Sequence, residues 1–436
     1  MKLKLLLIAL LALFCNQLSA ADKPNIIVVL ADDLGFGDVS CYNPASKIPT
    51  PHFDALAKQG MRFTDAHTAA SICSPTRYSL MTGRYPWRST WRIGVLQAGD
   101  PCLITPGTPT LPGMLQSAGY RTAIVGKWHV GESPKFGLKE VGFDEVLPVG
   151  LTGDKVERFR ENDGVVLSRT VEYLKARAED KAGKPFFLYA CPTSPHDPYL
   201  PLKEWKGKSK AGDYGDEVLQ LDAHLGEIMR VLDETGLAND TLLVVTSDNG
   251  PESAKRDYSK PKFDIPEDID DRITVFQRKE KFGHDSAGGW RGAKYTAYEG
   301  GHRVPFIVRW PGKVSAGAVN HTLQCQTDLF ATCAAVAGAT AQADDSVNQL
   351  PEWVGETKTP VRKNGVFASG LNKQVAVRRG DWVLITPLVP TGKNRANELY
   401  NLQDDPAQKT DMARKNPKLV AELRALFDKE RGRSKE

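Results

Sequence analysis

Residues 25–30 read NIIVVL, and ADDLG follows directly at residues 31–35. The run is rich in β-branched side chains and has no polar residue after Asn25, which predicts a strand buried on both faces, as in a parallel sheet. Two carboxylates come where this strand would end, and α/β sheets bind their ligands at the carboxyl ends of strands. The stretch therefore predicts an α/β fold with polar chemistry at Asp32 and Asp33.

Short apolar runs alternate with helical patterns along much of the chain, which is the order typical of an α/β domain. Thr50 and Pro51 open a predicted helix that runs through Lys58, with Thr50 as N-cap and Gly60 as the stop signal. The other predicted strands are residues 122–125, 185–190, 241–246 and 304–309, and the other predicted helices are residues 110–118, 215–235 and 327–337.

Two changes of composition divide the chain. Residues 251–286 are dominated by charged side chains and lose apolar periodicity, which predicts a long polar loop of the functional or disordered kind. After about residue 345 the strands shorten to 374–378 and 382–386, and a closing helix begins near Pro417. We predict a signal peptide over residues 1–20, a large domain over residues 21–345 and a smaller C-terminal domain over residues 346–436.

The N-terminus and the composition exclude several classes of protein. Lys2 and Lys4 precede an apolar run over residues 5–14 and small residues at 19–21, which is the order of a secretory signal peptide. We therefore expect an exported protein, periplasmic or secreted. No later stretch is apolar enough to span a bilayer, so we expect no transmembrane segment in the mature chain. A formal net charge of +4 is too small to indicate binding to nucleic acid.

Polar side chains follow four of the predicted strands. Besides residues 31–35, the sequences GKWH at 126–129, SPHDP at 194–198 and SDNG at 247–250 each come after a strand. Because the carboxyl ends of parallel strands meet at one edge of a sheet, we expect these side chains to share one site. The candidate residues are Asp32, Asp33, Lys127, His129, His196, Asp248 and Asn249.

Four of these candidates offer oxygen ligands for a metal ion. Asp32, Asp33, Asp248 and Asn249 are of the types that Ca²⁺ and Mg²⁺ prefer. Zinc is disfavoured because no paired His or Cys spacing accompanies them. Taken singly, each short motif is also an ordinary turn sequence, so the prediction of a metal site depends on their convergence.

The segment CSPTR at residues 73–77, continued by YSLMTGR at residues 78–84, predicts a turn that enters a short helix. Pro75 suits the first helical turn, and Cys73 stands beside the helix N-terminus, where partial positive charge favours an anion or a thiolate. A small buried cysteine at a helix start is the alternative interpretation. The cysteines that follow the predicted signal peptide are too few for a disulfide scaffold.

The segment at residues 73–84 resembles the signature of the type I sulfatases, in which this cysteine is oxidised to Cα-formylglycine by a dedicated maturation enzyme. The resemblance covers nearly the whole mature chain, with its motifs in matching order. It implies an alkaline-phosphatase-like fold, in which helices flank a large mixed β-sheet and a smaller C-terminal antiparallel sheet carries a helix. The other motifs are DDLG at 32–35, TPHFD at 50–54, GKWH at 126–129, SDNG at 247–250, RGAK at 291–294, EGGHRVP at 299–305, and ELYNL at 398–402 with DP at 405–406.

The resemblance implies a sulfuric ester hydrolase, arylsulfatase-like, with a modified nucleophile. Hydrated formylglycine at position 73 carries two hydroxyls on one carbon; one attacks sulfur, and the other later expels sulfate by breaking the C–O bond. An ordinary Ser or Cys ester lacks that exit, which is the chemical reason for the modification. The implied cofactor is Ca²⁺, favoured over Mg²⁺, and its implied ligands are Asp32, Asp33, Cys73 as formylglycine, Asp248 and Asn249.

Proton transfer and charge neutralisation follow from the same resemblance. Asp248 is implied as the base for the attack, His196 as the acid for the leaving group and His129 as the base for the second hydroxyl. His302 stands where members of the family often carry an aliphatic residue, so it has no assigned role. His284 is worth testing, because its loop is a candidate lining of the substrate pocket. The implied cations that neutralise sulfate are Arg77, Lys127 and Lys294.

We expect a sulfated saccharide as the substrate, with aryl sulfates as surrogates, because exported members of the family commonly act on polysaccharide fragments. Two other functions stay open at this point. A phosphonate monoester hydrolase or phosphodiesterase of the same superfamily can use the same formylglycine, and faster cleavage of aryl phosphate diesters than of aryl sulfates would identify it. An exported sulfoglycan-binding protein with a dead site is the other, and an unmodified Cys73 would favour it.

Overall fold

The computed structural model describes most of the chain beyond the N-terminal segment. The predicted signal peptide over residues 1–20 lies outside the described residues. Within the described part, no helix is both long enough and apolar enough to cross a membrane. The described residues are 23–90, 94–97, 99–131, 136–147, 155–252, 275–370, 373–389 and 396–432, those at 155–161 by backbone alone.

Strands and helices alternate along the described chain, as the apolar runs predict. The strands are β1 (Asn25–Ala31), β2 (Met61–Phe63), β3 (Ala66–His67), β4 (Arg121–Gly126), β5 (Glu145–Leu147), β6 (Phe186–Cys191), β7 (Thr241–Ser247), β8 (Phe306–Arg309), β9 (Ala318–Asn320), β10 (Gln324–Cys325), β11 (Asn364–Ala368), β12 (Gln374–Arg379), β13 (Trp382–Pro387) and β14 (Glu398–Asn401). The helices are α1 (Pro51–Gln59), α2 (Cys73–Thr82), α3 (Leu111–Ser117), α4 (Leu138–Val141), α5 (Lys155–Ala178), α6 (Gly212–Glu234), α7 (Val275–Phe282), α8 (Glu299–His302), α9 (Asp328–Val336), α10 (Leu350–Trp353) and α11 (Pro417–Gly432).

The large sheet has eight strands in the spatial order β5-β4-β6-β1-β7-β8-β2-β9. At its centre β1 pairs in parallel with β6 and β7, and Ile27 lies level with Leu188 and Leu243. Every residue of β1 is buried, because an apolar cluster covers each face of the sheet. Ile26 and Val28 pack into one cluster and Ile27 into the other, as the alternation of side chains along a strand requires.

The four strands that precede the polar motifs are neighbours in this sheet. β4, β6, β1 and β7 lie side by side and run parallel. Their carboxyl ends therefore meet at one edge, which brings residues far apart in the chain together. β8 runs antiparallel to β7, so the sheet is mixed, as predicted.

A second sheet of four antiparallel strands, in the order β11-β12-β13-β14, is formed by the C-terminal part of the chain. Helix α11 packs on it through Leu423 and Phe427, both of which are buried. The sheet also supports the segment before Cys73, because Ala368 donates to the carbonyl of Ala69 at 2.9 Å and accepts from Ser71 at 2.9 Å. The predicted fold class is confirmed, and the boundary at residue 345 stays a prediction.

Parts of the fold were not predicted from the sequence. Helix α5 was missed because charged residues interrupt its apolar pattern, and β2, β5 and β9 span only three residues each, too few for a periodic signal. The prediction of a polar loop over residues 251–286 is wrong for Val275–Phe282, which form helix α7. There the side chain of Arg278 is buried with its guanidinium 3.7 Å from the ring centre of Tyr214, so a charged residue occupies a core position. Residues 253–274 lie outside the described part.

Candidate active site

Cys73 is the first residue of α2 and its side chain is buried, with 1% of the residue exposed. Its Sγ lies 3.6 Å from Oδ1 of Asp32, at the end of β1. Burial, and after it the charge of Asp248, raises the pKa of the Cys73 thiol well above its usual value. The expectation that the helix start favours a thiolate is therefore wrong for the unmodified residue, because desolvation outweighs the partial charge of the helix N-terminus.

Arg77 lies one helical turn after Cys73, so both side chains project from the same face of α2. It is fully buried, and its Nε donates to Oδ2 of Asp248 at 2.9 Å. Its Nη1 donates to the carbonyl of Lys127 at 2.7 Å, and Nη2 lies 3.5 Å from Oδ2 of Asp32. The guanidinium of Arg77 thus connects α2 to the ends of β1, β4 and β7.

Two lysines complete the cationic lining. The ammonium group of Lys127, just after β4, contacts the carboxylate of Asp32. The Nζ of Lys294 lies 2.7 Å from Asp33 and 3.3 Å from Oε2 of Glu252. The structure therefore brings Lys294 to the same strand edge as Lys127, although its place in the sequence gives no strand to follow. Glu252 was not singled out from the sequence; its position two residues after SDNG was the available signal.

His129 holds its imidazole in one defined tautomer. Its Nε2 lies 3.0 Å from the carbonyl oxygen of Leu96, and a carbonyl only accepts, so Nε2 carries the hydrogen. Nδ1 of the neutral ring then carries the lone pair, and it is buried with no hydrogen-bond partner among the described residues. Burial, and next the charge of Lys127, lowers the pKa of His129 to about 3. The residue is thus a neutral base with an available nitrogen.

His196 has the reverse arrangement of its ring nitrogens. Its Nδ1 lies 2.5 Å from the carbonyl oxygen of Asp197 and so carries the hydrogen, while Nε2 lies 3.9 Å from Oδ2 of Asp33. Burial, followed by the charges of Lys127 and Lys294, lowers the pKa of His196 to about 4. Nε2 is therefore the nitrogen that can exchange a proton in the site.

The predicted metal ligands converge, and their chemistry fits a cation. Burial, to which the negative charge of Asp32 adds, raises the pKa of Asp33 to about 7 and that of Asp248 to about 6. Neighbouring carboxylates in a buried site do not readily ionise together without a cation. Asn249 donates through Nδ2 to Asp33 at 2.7 Å. Its Oδ1 is buried and has no hydrogen-bond partner among the described residues. An orphaned amide oxygen beside carboxylates is a donor set for a hard divalent ion.

Two of the predicted carboxylates, the nucleophile and His196 each place one ligand atom close enough to share an ion. One such atom from each of Asp32, Asp33, Cys73 and His196 lies within 4.8 Å of the others. The charge of Lys127, with those of His196 and Arg77, overcomes the effect of burial and holds the pKa of Asp32 well below its usual value. The charges around Asp32 thus favour its ionised form, which is the form that binds a cation.

The structure places His284 and His302 outside the reacting centre. Nε2 of His284 lies 2.7 Å from Oδ1 of Asp38, whose other oxygen accepts from the backbone N–H of Gly35 at 2.7 Å. His284 therefore supports the turn after β1. Nδ1 of His302 lies 2.9 Å from Nδ1 of His67, and both rings are buried beside the C-terminal sheet.

Comparison with known proteins agrees with this fold. The sulfatase family model matches residues 24–339. An N-acetylgalactosamine-6-O-sulfatase of Bacteroides thetaiotaomicron is 33% identical over 95% of both chains, and human arylsulfatase A is 31% identical over 81% of this chain and 72% of its own length. A solved structure from work on the metabolism of multiple glycosaminoglycans by Bacteroides thetaiotaomicron is 32% identical in sequence and superposes with a TM-score of 0.79. The match covers 94% of this chain and 99% of that chain.

An alkaline-phosphatase-like sheet whose strand ends carry carboxylates, histidines and buried cations around one cysteine defines the class of protein. With the family model covering most of the chain, the chain belongs to the sulfatase family, and it is a sulfuric ester hydrolase.

Proposed function

We propose that this chain is an exported sulfatase that removes sulfate from a sulfated saccharide, using formylglycine derived from Cys73 and a bound Ca²⁺. The observation that carries the proposal is the position of Cys73, buried in contact with Asp32 and near the charges of Lys127 and Lys294, with Arg77 one turn further along α2. The relative from Bacteroides thetaiotaomicron is named for N-acetylgalactosamine 6-sulfate. That sugar ester is therefore the substrate to test first.

The modification of Cys73 explains how a poor nucleophile becomes a good one. The unmodified thiol stays protonated because burial raises its pKa, and the thiolate is the reactive form of cysteine. A hydrated aldehyde at this position supplies two hydroxyls on one carbon, one to take the sulfuryl group as Asp248 accepts its proton, and one to allow the release of sulfate. The buried N-terminus of α2 adds partial positive charge that favours an anion there.

Ca²⁺ would be held by Asp32, Asp33, Asp248 and Asn249, with position 73 completing the ligands. When bound, the ion supplies positive charge beside the sulfate oxygens and favours ionisation of the nucleophile. The orphaned Oδ1 of Asn249 and the raised pKa values of Asp33 and Asp248 support this assignment.

Three cations of the chain bind the sulfate. Lys294 and Arg77 are buried and the side chain of Lys127 is 16% exposed, so the interactions of these groups with anionic oxygens are only weakly screened by water. Arg77 is already fixed by Asp248 at 2.9 Å. Its guanidinium therefore needs little reorganisation when charge develops on the sulfuryl group.

His196 and His129 divide the two proton transfers. Burial, followed by the charges of Lys127 and Lys294, lowers the pKa of His196 in the free protein, and an anionic sulfate bound beside it opposes the effect of those two charges. The pKa therefore rises on binding, and Nε2 gains the proton that it delivers to the leaving alcohol. His129 is neutral before this step, and it becomes positively charged when its Nδ1 accepts the proton of the second hydroxyl.

Mass analysis and a substrate screen test this function together. Peptide mass at position 73 in protein from its native source should show the aldehyde in place of the thiol. That protein should hydrolyse N-acetylgalactosamine 6-sulfate and 4-nitrophenyl sulfate with Ca²⁺, and lose activity after chelation. Cys73→Ala should be folded and inactive. Faster cleavage of an aryl phosphate diester than of the aryl sulfate, or an unmodified Cys73, would contradict the proposal.

A further inference from the structure

The loop that carries His196 is held by a side chain from α5, a helix that the sequence pattern does not predict. After β6 ends, the chain turns through residues 193–198 before α6. Asp163, on α5, lies against the first part of this loop with 2% of the residue exposed. Its Oδ1 accepts from the backbone N–H and the hydroxyl of Thr193, at 2.6 and 2.9 Å. Its Oδ2 accepts from the backbone N–H of Ser194 at 2.8 Å.

These contacts meet the needs of the loop backbone. In a loop that is not part of a sheet, consecutive N–H groups need another acceptor, and leaving one buried and unpaired costs free energy. One carboxylate satisfies both Thr193 and Ser194 and also fixes the Thr193 hydroxyl. Hydrogen bonds to an ionised group are stronger than those between neutral groups. Asn162, the preceding residue of α5, adds a fourth contact by donating to the same hydroxyl at 2.9 Å.

The two residues that Asp163 holds are hydrogen-bonded in turn to His196 and to Asp32. The backbone N–H of His196 donates to the carbonyl of Thr193 at 2.8 Å, which closes a turn over residues 193–196. The carbonyl of Ser194 accepts from the backbone N–H of Asp32 at 3.1 Å. The loop is therefore tied to α5 on one side and to the end of β1 on the other, with His196 between them.

We propose that Asp163 is a positioning residue: by fixing the backbone at residues 193–194 it holds Nε2 of His196 where the leaving oxygen departs. This inference rests on the proposed function, since it concerns the acid of that reaction. Proton delivery requires hydrogen-bond distance between acid and oxygen. A displacement of about 1 Å at a reacting group can cost about 100-fold in rate.

Two substrates with different leaving groups distinguish a positioning role of Asp163 from a structural one. An alkoxide leaving from N-acetylgalactosamine 6-sulfate needs a proton, whereas the phenolate leaving from 4-nitrophenyl sulfate does not. Asp163→Asn keeps the shape of the side chain but removes the charge and one acceptor. We expect it to lower kcat on the sugar sulfate about 10- to 100-fold and to lower kcat on the aryl sulfate by less than about threefold. His196→Ala should show the same selectivity.

The double variant tests whether Asp163 acts through His196. In a His196→Ala background, Asp163→Asn should cause no further loss on the sugar sulfate, because the group it positions is gone. Thr170→Val is the matched control: this buried residue of α5 bonds only to Val166 within its helix among the contacts described, so both rates should match those of the wild type. Circular dichroism melting checks that each variant is folded, with Asn162→Ala as a milder second variant expected to show a smaller loss of the same selectivity.

The alternative outcomes are distinct. Equal losses on both substrates in Asp163→Asn, or additive losses in the double variant, would show a structural role and overturn the inference while the wild type remains an active sulfatase. A wild type that hydrolyses neither ester would overturn the proposed function and this inference together. Full sugar-sulfate activity in His196→Ala would reject His196 as the acid, and with it the role of Asp163.

Discussion

Nε and Nη2 of Arg77 both lie 2.9 Å from one carboxylate oxygen, Oδ2 of Asp248. The other oxygen of Asp248 accepts from the backbone N–H of Asp33 at 3.2 Å. This pair joins the helix that begins at Cys73 to the ends of β1 and β7. Since both partners are fully buried, removal of one leaves the other as an uncompensated charge.

Arg77→Ala should therefore destabilise the protein and abolish activity. Breaking a buried ion pair from one side costs about 3–5 kcal/mol of unfolding free energy, measured here by urea unfolding. Arg84→Ala is the control, because its ion pair with Asp344 is partly exposed, and such pairs contribute about 0–1 kcal/mol. Equal unfolding free energies for the two variants would contradict the central role of the Arg77–Asp248 pair.

Calcium should raise the melting temperature of the protein through Asn249. A ligand at about 100 times its Kd stabilises the folded state by about 2.7 kcal/mol. Asn249→Ala removes the orphaned amide oxygen, so its melting temperature should respond to Ca²⁺ only at much higher concentration. Asn364→Ala, which removes a buried amide oxygen by the C-terminal sheet, should keep the wild-type response. An unchanged Ca²⁺ response in Asn249→Ala would remove this residue from the metal site.

His129→Ala should separate the two halves of the reaction. In the proposed mechanism, the first half releases the desulfated alcohol and does not need a base at Nδ1 of His129, whereas the release of sulfate does. Stopped-flow measurement with 4-nitrophenyl sulfate should therefore show a stoichiometric burst of phenolate followed by slow turnover. A uniformly slow reaction without a burst would place His129 in the first half.

Acid should destabilise the protein in part through Glu299. Burial opposes ionisation of this residue, but Arg303, at 2.9 Å, outweighs it and lowers the pKa of Glu299 to about 2. This pKa lies below that of a glutamate in the unfolded chain, which is about 4.3. Ionised Glu299 therefore contributes fully to stability at a pH above the unfolded-state pKa, and this contribution is lost as the pH falls toward 2.

The matched variants isolate this contribution. Between about pH 6 and pH 3, the unfolding free energy of the wild type should fall by about 2 kcal/mol more than that of Glu299→Gln, which has no carboxyl to titrate. Glu356→Gln changes an exposed carboxyl and should fall in parallel with the wild type. Parallel curves for all three proteins would show that Glu299 carries no such linkage.

Much of the fold was predictable because its signals are local. The strand at residues 25–30 is recognised from β-branched residues, and the structure extends it only to Ala31. The helix predicted from Thr50 and Pro51 is present as α1. Helix α5 and the short edge strands gave no comparable periodicity, so they were missed. Their positions depend on partners distant in the chain.

The sequence by itself determined the strand ends, the polar motifs after them and the family signature at Cys73, since each is read within a few consecutive residues. Only the tertiary structure decided what those groups experience. Burial keeps the Cys73 thiol protonated, although its position at the start of a helix indicates the opposite. Contacts over long sequence separations bring Lys294 to Asp33 and Asp163 to the His196 loop, because desolvation and hydrogen-bond geometry depend on neighbours that only the folded chain assembles.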